Sequence, residues 1–490
     1  MNYRMVLFVL GRILTVEAVL MLLPLLCSVI YGENPFPFII PMVILLGLSL
    51  LFTLRTPRNK SMRARDGFVC VGLSWIVMSL FGALPFVISG QIPSFIDAFF
   101  ETVSGFTTTG SSILADIESM DRGLLFWRSF THWIGGMGIL VFVLAVMPQS
   151  DSKSARYMHL MRAESPGPSV GKVVPRIATT SRIMYAIYLA LTVLLIIFLL
   201  AGDLPLFDTL CHTFGTAGTG GFGIKNDSVA SYSPYSQYVI ATFMILFGIN
   251  FNVYYFLIIR QFLKAVKSEE LWTYLFIIAA SVGIISTSIY SFYNAPDMSG
   301  ATAEEAFRMA YFQVASIIST SGFSTVNFNI WPPITHAVLV CLMFIGASAG
   351  CTGGGIKVSR IILLAKNGAR EIKYILNPRL VKTVKFDDKT VDHETIRGTT
   401  SYLIVYIALF ALSTLAIIAI EACDLVSGFT SVAACLNNIG PGLNMVGPAA
   451  NFGWMTDLSK LILSFDMLVG RLELFPILIL FSPSTWKKFI

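Results

Sequence analysis

One pattern occurs four times in this chain, at intervals of roughly a hundred residues: a short apolar segment, a stretch of small residues around one glycine, and a long apolar run. The stretches are Thr107–Ser111, Thr219–Phe222, Thr320–Phe323 and Asn437–Pro441. Glycine adopts backbone conformations that residues with side chains avoid. Four such loops around one axis are able to point carbonyl oxygens inward and replace the water around a cation. We therefore predict a single-chain cation pathway with pseudo-fourfold symmetry.

The composition restricts the fold to the membrane class. Hydrophobic residues make up 55% of the chain and charged residues 13%, whereas soluble domains carry about 25% charged residues. A membrane-spanning helix needs about 20 apolar residues, and the chain offers about ten such runs. Strands of a membrane barrel would give shorter, alternating segments. We therefore expect an all-α membrane protein, with spans at 5–31, 37–54, 68–90, 124–148, 181–202, 236–263, 270–293, 333–351, 399–421 and 456–483.

The four apolar segments that precede the glycine stretches are too short to cross a bilayer. The repeating unit is therefore a long helix, a short re-entrant helix, a glycine loop and a second long helix. Small residues six positions before each glycine support the alignment, because they let a short helix pack closely in lipid. The predicted divisions are an N-terminal helical pair at 1–66 and four units at 67–180, 181–268, 269–394 and 395–490.

The basic residues indicate how the chain is oriented. Lysine and arginine are concentrated in the 55–66 loop, the 149–182 loop, the 260–267 segment, the 357–397 segment and at Lys487 and Lys488. With ten spans, all of these fall on the same face as the N-terminus, and basic loops stay in the cytoplasm. We expect both termini to be cytoplasmic. The net charge of +6 comes from these loops, so no nucleic-acid partner is expected.

The glycine stretches supply the candidate site. Each short helix would aim the partly negative end of its dipole at the centre, which favours a cation. Backbone carbonyls would bind potassium, with no organic cofactor in this chain. The alternative is that such loops only connect helices. The predicted filter residues are Thr108, Thr109, Gly110, Thr219, Gly220, Gly221, Thr320, Ser321, Gly322, Asn438, Ile439 and Gly440.

These motifs resemble those of the Trk/Ktr/HKT superfamily of potassium transporters, and the extra N-terminal helices resemble its TrkH/TrkG branch. His132–Gly138 resembles the signature that follows the first filter segment of that family. The second segment departs from the pattern, with Gly218 and Gly220 where hydroxyl-bearing residues are usual. In the sodium-selective plant branch a serine replaces the first filter glycine, so Gly110 favours potassium.

The resemblance implies a bacterial inner-membrane protein for potassium uptake by selective permeation. It also implies a homodimer that works with a cytoplasmic ring of TrkA-like nucleotide-binding subunits. Whether sodium or proton movement is coupled to potassium stays open, as does poor discrimination between potassium and sodium. The basic 366–397 stretch is a candidate surface for anionic lipid or for such a regulatory partner.

A glycine-rich run breaks the second long helix of the third unit, because glycine costs about 1 kcal/mol against alanine in a helix. In the resembling family this segment is a mobile gate below the filter; the alternative is a close helix contact of small residues. Arg471 would oppose an ion in the cavity beneath the filter, or pair with Asp466 or Glu473, or reach the cytoplasm. Lys357 would orient the gate or anchor the helix end. The predicted gate residues are Gly346, Ala347, Ser348, Ala349, Gly350, Gly353, Gly354, Gly355, Lys357 and Arg471.

Two other classes of function compete with a cation pathway for this sequence. An intramembrane enzyme needs a nucleophile with a base in reach or paired aspartates, and Asp466 has no obvious second member. We therefore predict that the protein is not an enzyme. A scaffold for a cytosolic regulator, with a vestigial pore, is the third reading. A carrier with inverted repeats would place its broken helices in opposite orientations, but these four units share one orientation.

Overall fold

The computed structural model of the protein describes residues 1–54, 57, 63–136, 138, 177–295, 300–379 and 383–486. Several predicted features lie outside the described residues. These are Arg55, Arg58 and Lys60 of the first basic loop, residues 149–176 of the second, Met137 of the family signature, and Lys382, Lys487 and Lys488.

The described chain is mostly helical, and the prediction of an all-α membrane protein is confirmed. One two-stranded antiparallel hairpin, Lys385–Phe386 and Lys389–Thr390, pairs Lys385 with Thr390. Short 3₁₀ turns lie at Phe328–Ile330 and Asn444–Val446. The α-helices are Tyr3–Leu20, Leu22–Tyr31, Phe36–Thr53, Ala64–Gly82, Leu84–Ile88, Phe95–Phe106, Arg122–Gly136, Ile177–Ala201, Leu206–Gly218, Pro234–Phe247, Phe251–Ile258, Phe262–Val266, Glu269–Tyr293, Ala303–Ile318, Pro333–Ile345, Val358–Leu376, His393–Glu421, Leu425–Leu436, Asp457–Arg471, Phe475–Phe481 and Pro483–Trp486.

Four of these helices lie directly before the glycine stretches, and we call them short helix 1 (Phe95–Phe106), short helix 2 (Leu206–Gly218), short helix 3 (Ala303–Ile318) and short helix 4 (Leu425–Leu436). Three begin at a residue whose side chain accepts a backbone N–H of the first turn: Ser94, Thr302 and Asp424. Such caps satisfy donors that have no partner within the helix. Short helix 2 begins instead after Pro205, which has no side-chain cap.

The second helix is broken in three of the repeating units; the sequence predicted the break in the third unit but continuous spans in the second and fourth. The helix Pro234–Phe247 meets Phe251–Ile258 at 88°, the helix Pro333–Ile345 ends at Gly346, and Asp457–Arg471 is separated from Phe475–Phe481 by a short turn. Glycine at 248 and 346 and a positive φ at Leu474 accompany these ends. Irregular backbone at membrane depth is tolerated where protein or water surrounds it, and hydropathy alone does not reveal it.

Three of the ten predicted spans are interrupted by these breaks, and a fourth, 124–148, lies partly outside the described residues. Among the described residues, six helices have the length and apolar composition of a span, or seven if the 88° pair counts as one. The sequence predicted ten. The outward faces of these helices carry large exposed apolar side chains, including Leu51, Ile197, Phe276 and Leu415. Exposed apolar area of this extent indicates contact with lipid.

Among the described residues, the buried core consists of two apolar clusters. The first joins the N-terminal helices to the first and fourth units, and the second joins the second and third units. The N-terminal helix Tyr3–Leu20 packs closely on Phe36–Thr53, where a side chain at Gly11 would meet Phe52 at 2.9 Å. The domain boundaries predicted from the sequence remain a prediction.

Candidate functional site

The four glycine stretches share one backbone conformation. We call them glycine loop 1 (Thr107–Ser111), glycine loop 2 (Gly218–Phe222), glycine loop 3 (Ser319–Phe323) and glycine loop 4 (Asn437–Pro441). In each loop, the N–H of the residue before the glycine donates to the carbonyl five residues earlier, at 2.8 Å in all four. The preceding residue is left-handed, with φ between 55° and 59°, at Thr108, Thr219, Thr320 and Asn438. This hydrogen bond and the left-handed residue together form the Schellman motif that ends many helices.

This conformation is unusual for the residues that adopt it. The left-handed position of a Schellman motif is ordinarily glycine, and a β-branched residue there is an outlier. Three of the four loops place a threonine at this position. Strain of this kind costs about 1–3 kcal/mol per residue, persists only where the surroundings impose it, and is concentrated at functional sites.

The four loops form a closed ring. A Cβ built on Gly110 would lie 2.0 Å from the carbonyl oxygen of Gly220, and one on Gly221 would lie 1.8 Å from that of Ser321. A Cβ on Gly322 would lie 2.0 Å from the oxygen of Ile439, and one on Gly440 would lie 2.9 Å from that of Thr109. Each glycine therefore contacts the residue before the glycine of the next loop, and the fourth loop returns to the first.

A cavity opens over this ring and is lined by all four glycines, together with Arg128 and the segments that follow the loops. The four short helices end at the ring, so the partly negative ends of their dipoles converge there. Among the described residues, no group of three or more His, Cys, Asp or Glu side chains is placed to hold a metal ion. The converging helix dipoles favour a cation at the centre of the ring.

Side chains behind the ring link the loops. The hydroxyl oxygens of Thr107 and Thr109 are 2.8 Å apart in loop 1, and those of Ser319 and Ser321 are 2.9 Å apart in loop 3. The Asn438 amide donates to the Thr109 hydroxyl at 3.0 Å, which joins loops 4 and 1. All of these side chains are fully buried, so the conformation of one loop depends on its neighbours.

A buried ion pair, which the sequence did not reveal, supports the first two loops. The Nε of Arg128 lies 2.6 Å from a Glu101 oxygen, and both side chains are almost fully buried. Glu101 also accepts from the Ser112 hydroxyl at 2.9 Å and from the Ile113 N–H at 3.0 Å, after loop 1. Arg128 donates to the Gly223 carbonyl at 2.8 Å, after loop 2. The pair thus joins short helix 1 to the segments that leave two loops.

The predicted gate residues from Gly346 to Gly355 lie in one irregular segment, which we call the gate segment (Gly346–Lys357), against the helix-side end of loops 3 and 4. Its Gly354 N–H donates to the Thr320 hydroxyl at 2.6 Å, and its Gly355 N–H donates to the Asn437 carbonyl at 3.1 Å. On its other side, the Ala349 N–H donates to Glu270 at 2.7 Å. The segment is therefore attached by hydrogen bonds to loops 3 and 4 on one side and to Glu270 on the other.

Arg471 and Lys357 both bind backbone carbonyls in this region. Arg471 donates to the carbonyl of Thr352 at 2.6 Å, and to those of Gly135 and Gly136 at 2.5 and 2.7 Å. It thereby ties the gate segment to the second helix of the first unit. The Lys357 ammonium donates to the Gly353 carbonyl inside the gate segment.

The acidic residues considered as partners of Arg471 have other contacts. Glu473 forms an ion pair with Arg360, and Asp466 accepts a hydrogen bond from Ser413 at 2.9 Å. Arg360 in turn lies over the ring of Tyr402, 4.1 Å from its centroid. The predicted filter and gate residues are thus brought together in one region of the described structure.

Comparison with known proteins identifies the family. The family model of TrkH, a cation transport protein, matches residues 37–488. The chain belongs to the TrkH family of cation transport proteins. It is similar to the Trk system potassium uptake proteins TrkH of Salmonella typhimurium, at 36% identity over all of both chains, and TrkG of Escherichia coli, at 31% identity over 99% of both. The crystal structure of the potassium transporter TrkH from Vibrio parahaemolyticus matches with a TM-score of 0.87 and 32% identity, over 99% of this chain and 100% of that one.

Membership of the TrkH family confirms two predictions made from the sequence. The resemblance to the Trk superfamily is correct over nearly the whole chain. The protein is a transport protein and not an enzyme, because the family and its relatives are transporters.

Proposed function

We propose that this TrkH-family protein carries potassium ions across the membrane through the ring formed by its four glycine loops. The observation that carries the proposal is the closure of that ring, in which each glycine lies against a backbone carbonyl of the next loop. Rings of carbonyl oxygens replace the hydration shell of a potassium ion in known filters. The potassium uptake proteins to which the chain is similar support the choice of ion.

The filter, in this proposal, consists of the carbonyl groups around Gly110, Gly221, Gly322 and Gly440. The gate segment (Gly346–Lys357) blocks the pathway beneath it, and Arg471 places a positive charge at the same level. Hydrogen bonds from the gate segment to loops 3 and 4 support this arrangement. Permeation then requires the gate segment to leave its contacts with Thr320 and Asn437.

Flux measurements on the isolated protein in liposomes test the proposal. We expect potassium efflux that exceeds sodium efflux under equal gradients, with protein-free liposomes as the background. A variant with Gly110→Ser, the residue of the sodium-selective plant branch, should lower the potassium-to-sodium ratio. Absence of any cation flux, with a TrkA-like partner and nucleotide also supplied, would remove the proposal. A dependence of potassium flux on a sodium or proton gradient would indicate coupled symport instead.

We further propose a homodimer in the bacterial inner membrane, with both termini in the cytoplasm and a TrkA-like regulatory ring bound to the basic 357–397 segment. Exposed apolar side chains on the helix Val358–Leu376, including Ile372, Ile375 and Leu376, support a docking role for this segment. The replacement Ile375→Glu should weaken partner binding while the flux of the protein alone stays unchanged. Ile330→Glu, at an exposed isoleucine outside this segment, is the matched control. Equal binding by all three forms would exclude this surface.

A further inference from the structure

Glycine loop 2 differs from the other loops in having no side chain at the positions one and three residues before its glycine. These positions are Gly218 and Gly220. We propose that His132, from the second helix of the first unit, supplies the missing side chain and so determines the ion selectivity of this quadrant. The inference rests on the proposed function and deepens it, because it assigns a specificity-determining residue outside all four loops.

The imidazole of His132 lies where a side chain of loop 2 would be. A Cβ built on Gly220 would lie 1.3 Å from the Nδ1 of His132 and 2.1 Å from its Cε1. A Cβ built on Gly218 would lie 2.2 Å from the His132 carbonyl oxygen and 3.1 Å from its Cβ. Real Cβ contacts are essentially never closer than 3.0 Å. One residue from another helix therefore occupies both side-chain positions of the loop.

Loops 1 and 3 show what those positions do elsewhere in the ring. Each carries a pair of hydroxyl side chains there, 2.8 Å apart at Thr107 and Thr109 and 2.9 Å apart at Ser319 and Ser321. In loop 1 the Thr109 hydroxyl also accepts from the amide of Asn438 in loop 4. These contacts brace the backbone whose carbonyls face the pathway. Loop 2 has the same backbone conformation without either hydroxyl, and His132 lies in their place.

The support that His132 gives is steric. The imidazole of His132 is fully buried, and its centroid lies 4.2 Å from the centroid of the Phe222 ring. Neither ring nitrogen has a hydrogen-bond partner among the described residues, whereas most buried polar groups have one. The loop is therefore held by the shape of the ring and not by a directed bond. Interiors are packed so closely that removing or adding a few atoms at such a contact is felt by the neighbours.

A double-mutant cycle in proteoliposomes tests this assignment, with the potassium-to-sodium permeability ratio as the readout. Gly220→Thr alone should abolish selective potassium flux, because the new side chain collides with the imidazole. His132→Ala alone should lower the permeability ratio by about tenfold, within the range of coupling seen between contacting residues. The combined variant places a hydroxyl side chain in the vacated space, as in loop 1, and should restore the ratio to near that of the unaltered protein.

The controls separate loss of folding from loss of selectivity. Gly283→Thr adds the same side chain where nothing lies within 4 Å, and His393→Ala removes an exposed histidine; neither should change the ratio. Elution volume and thermal stability of each variant show whether it folds. If His132→Ala does not fold, His132→Ser in the same cycle decides the question.

The outcomes also separate this inference from the proposed function. Restored selectivity in the combined variant supports the inference. Selective potassium flux in the unaltered protein, together with additive effects in the combined variant or an unchanged ratio in His132→Ala, overturns the inference alone. No selective flux in the unaltered protein overturns the proposed function itself.

Discussion

Replacing the four filter glycines one at a time by alanine should damage potassium flux in a definite order. All four glycines have positive φ, between 75° and 106°, so each alanine carries a similar backbone cost of about 1–2 kcal/mol. The space around them differs. The new Cβ would lie 1.8 Å from a carbonyl oxygen at Gly221, 2.0 Å at Gly110 and Gly322, and 2.9 Å at Gly440. The order of severity is therefore Gly221, then Gly110 and Gly322, then Gly440.

The size of the effect follows from the displacement of one carbonyl. A relaxed C···O contact needs about 3.3 Å, so Gly221→Ala requires the Ser321 oxygen to retreat by about 1.5 Å. That movement removes one oxygen from a dehydrated ion. A contact between a charge and a hydrogen-bonding group contributes about 1.5–3 kcal/mol, which corresponds to a loss of roughly 10- to 100-fold in flux. Gly440→Ala requires a shift of only about 0.4 Å and should lose much less.

The assay is potassium efflux from proteoliposomes that hold equal amounts of folded protein, with the permeability ratio to sodium measured in parallel. Gly47→Ala is the matched control, because nothing lies within 4 Å of its added Cβ. Equal losses in Gly221→Ala and Gly440→Ala would refute the steric reasoning. Full potassium selectivity in all four variants would refute the ring itself.

Three other perturbations have definite expected outcomes. Arg471→Gln should raise the potassium flux of the protein alone by roughly tenfold or more, since a like charge at about 10 Å costs a cation about 1.7 kcal/mol. Glu101→Gln should lower the free energy of unfolding by about 3–5 kcal/mol, because it leaves Arg128 buried without its counter-charge. Hydrogen bonds from Ser427 hold the pKa of Asp424 below its ordinary value. The stabilising effect of this cap is therefore present above the unfolded pKa and is lost as pH falls through the folded value, so thermal melts of Asp424→Asn should lose less stability in acid.

Each of these outcomes has a control or a contradicting result. Arg308→Met breaks an ion pair whose acidic member is half exposed, and should lower the free energy of unfolding by under about 1 kcal/mol. If Glu101→Gln lowers it by the same amount, the buried pair stabilises the protein no more than an exposed one. Unchanged or lower flux in Arg471→Gln at equal protein amounts would exclude the electrostatic barrier. If acid lowers the thermal stability of Asp424→Asn as much as that of the unaltered protein, the Asp424 cap does not contribute to the pH dependence of stability.

The sequence predicts the overall architecture because the signals are local. The sequence shows directly each glycine that follows a short apolar segment and a run of small residues. Because this pattern occurs four times, it predicts the pseudo-fourfold symmetry. The glycine-rich run from Gly346 likewise predicts a helix end, and the helix does end at Ile345. Apolar runs, in contrast, do not reveal where a helix is interrupted. The bend between Phe247 and Phe251 depends on tertiary hydrogen bonds, such as the Phe251 N–H donating to the Gly350 carbonyl at 3.2 Å.

The contacts behind the loops could not be predicted for the same reason. Glu101 and Arg128 lie 27 positions apart on two helices, and no spacing rule connects residues that meet only after the units assemble. In the sequence, His132 resembles an ordinary helix residue. Gly220 resembles a departure from the filter motif. Only the packing of one unit on the next shows that the two features explain each other.

The four quadrants of the ring therefore have the same backbone conformation, but different side-chain contacts stabilise it in each. Hydroxyl pairs brace loops 1 and 3, an imidazole fills the equivalent space in loop 2, and loop 4 uses Asn437, which accepts from the Tyr406 hydroxyl at 2.9 Å. Symmetry is required only of the carbonyl oxygens, because they alone would meet the ion. Side chains behind the ring are constrained by volume and hydrogen bonding within their own quadrant. It follows that a substitution behind one loop should be rescued by a compensating change that refills the same space within that quadrant.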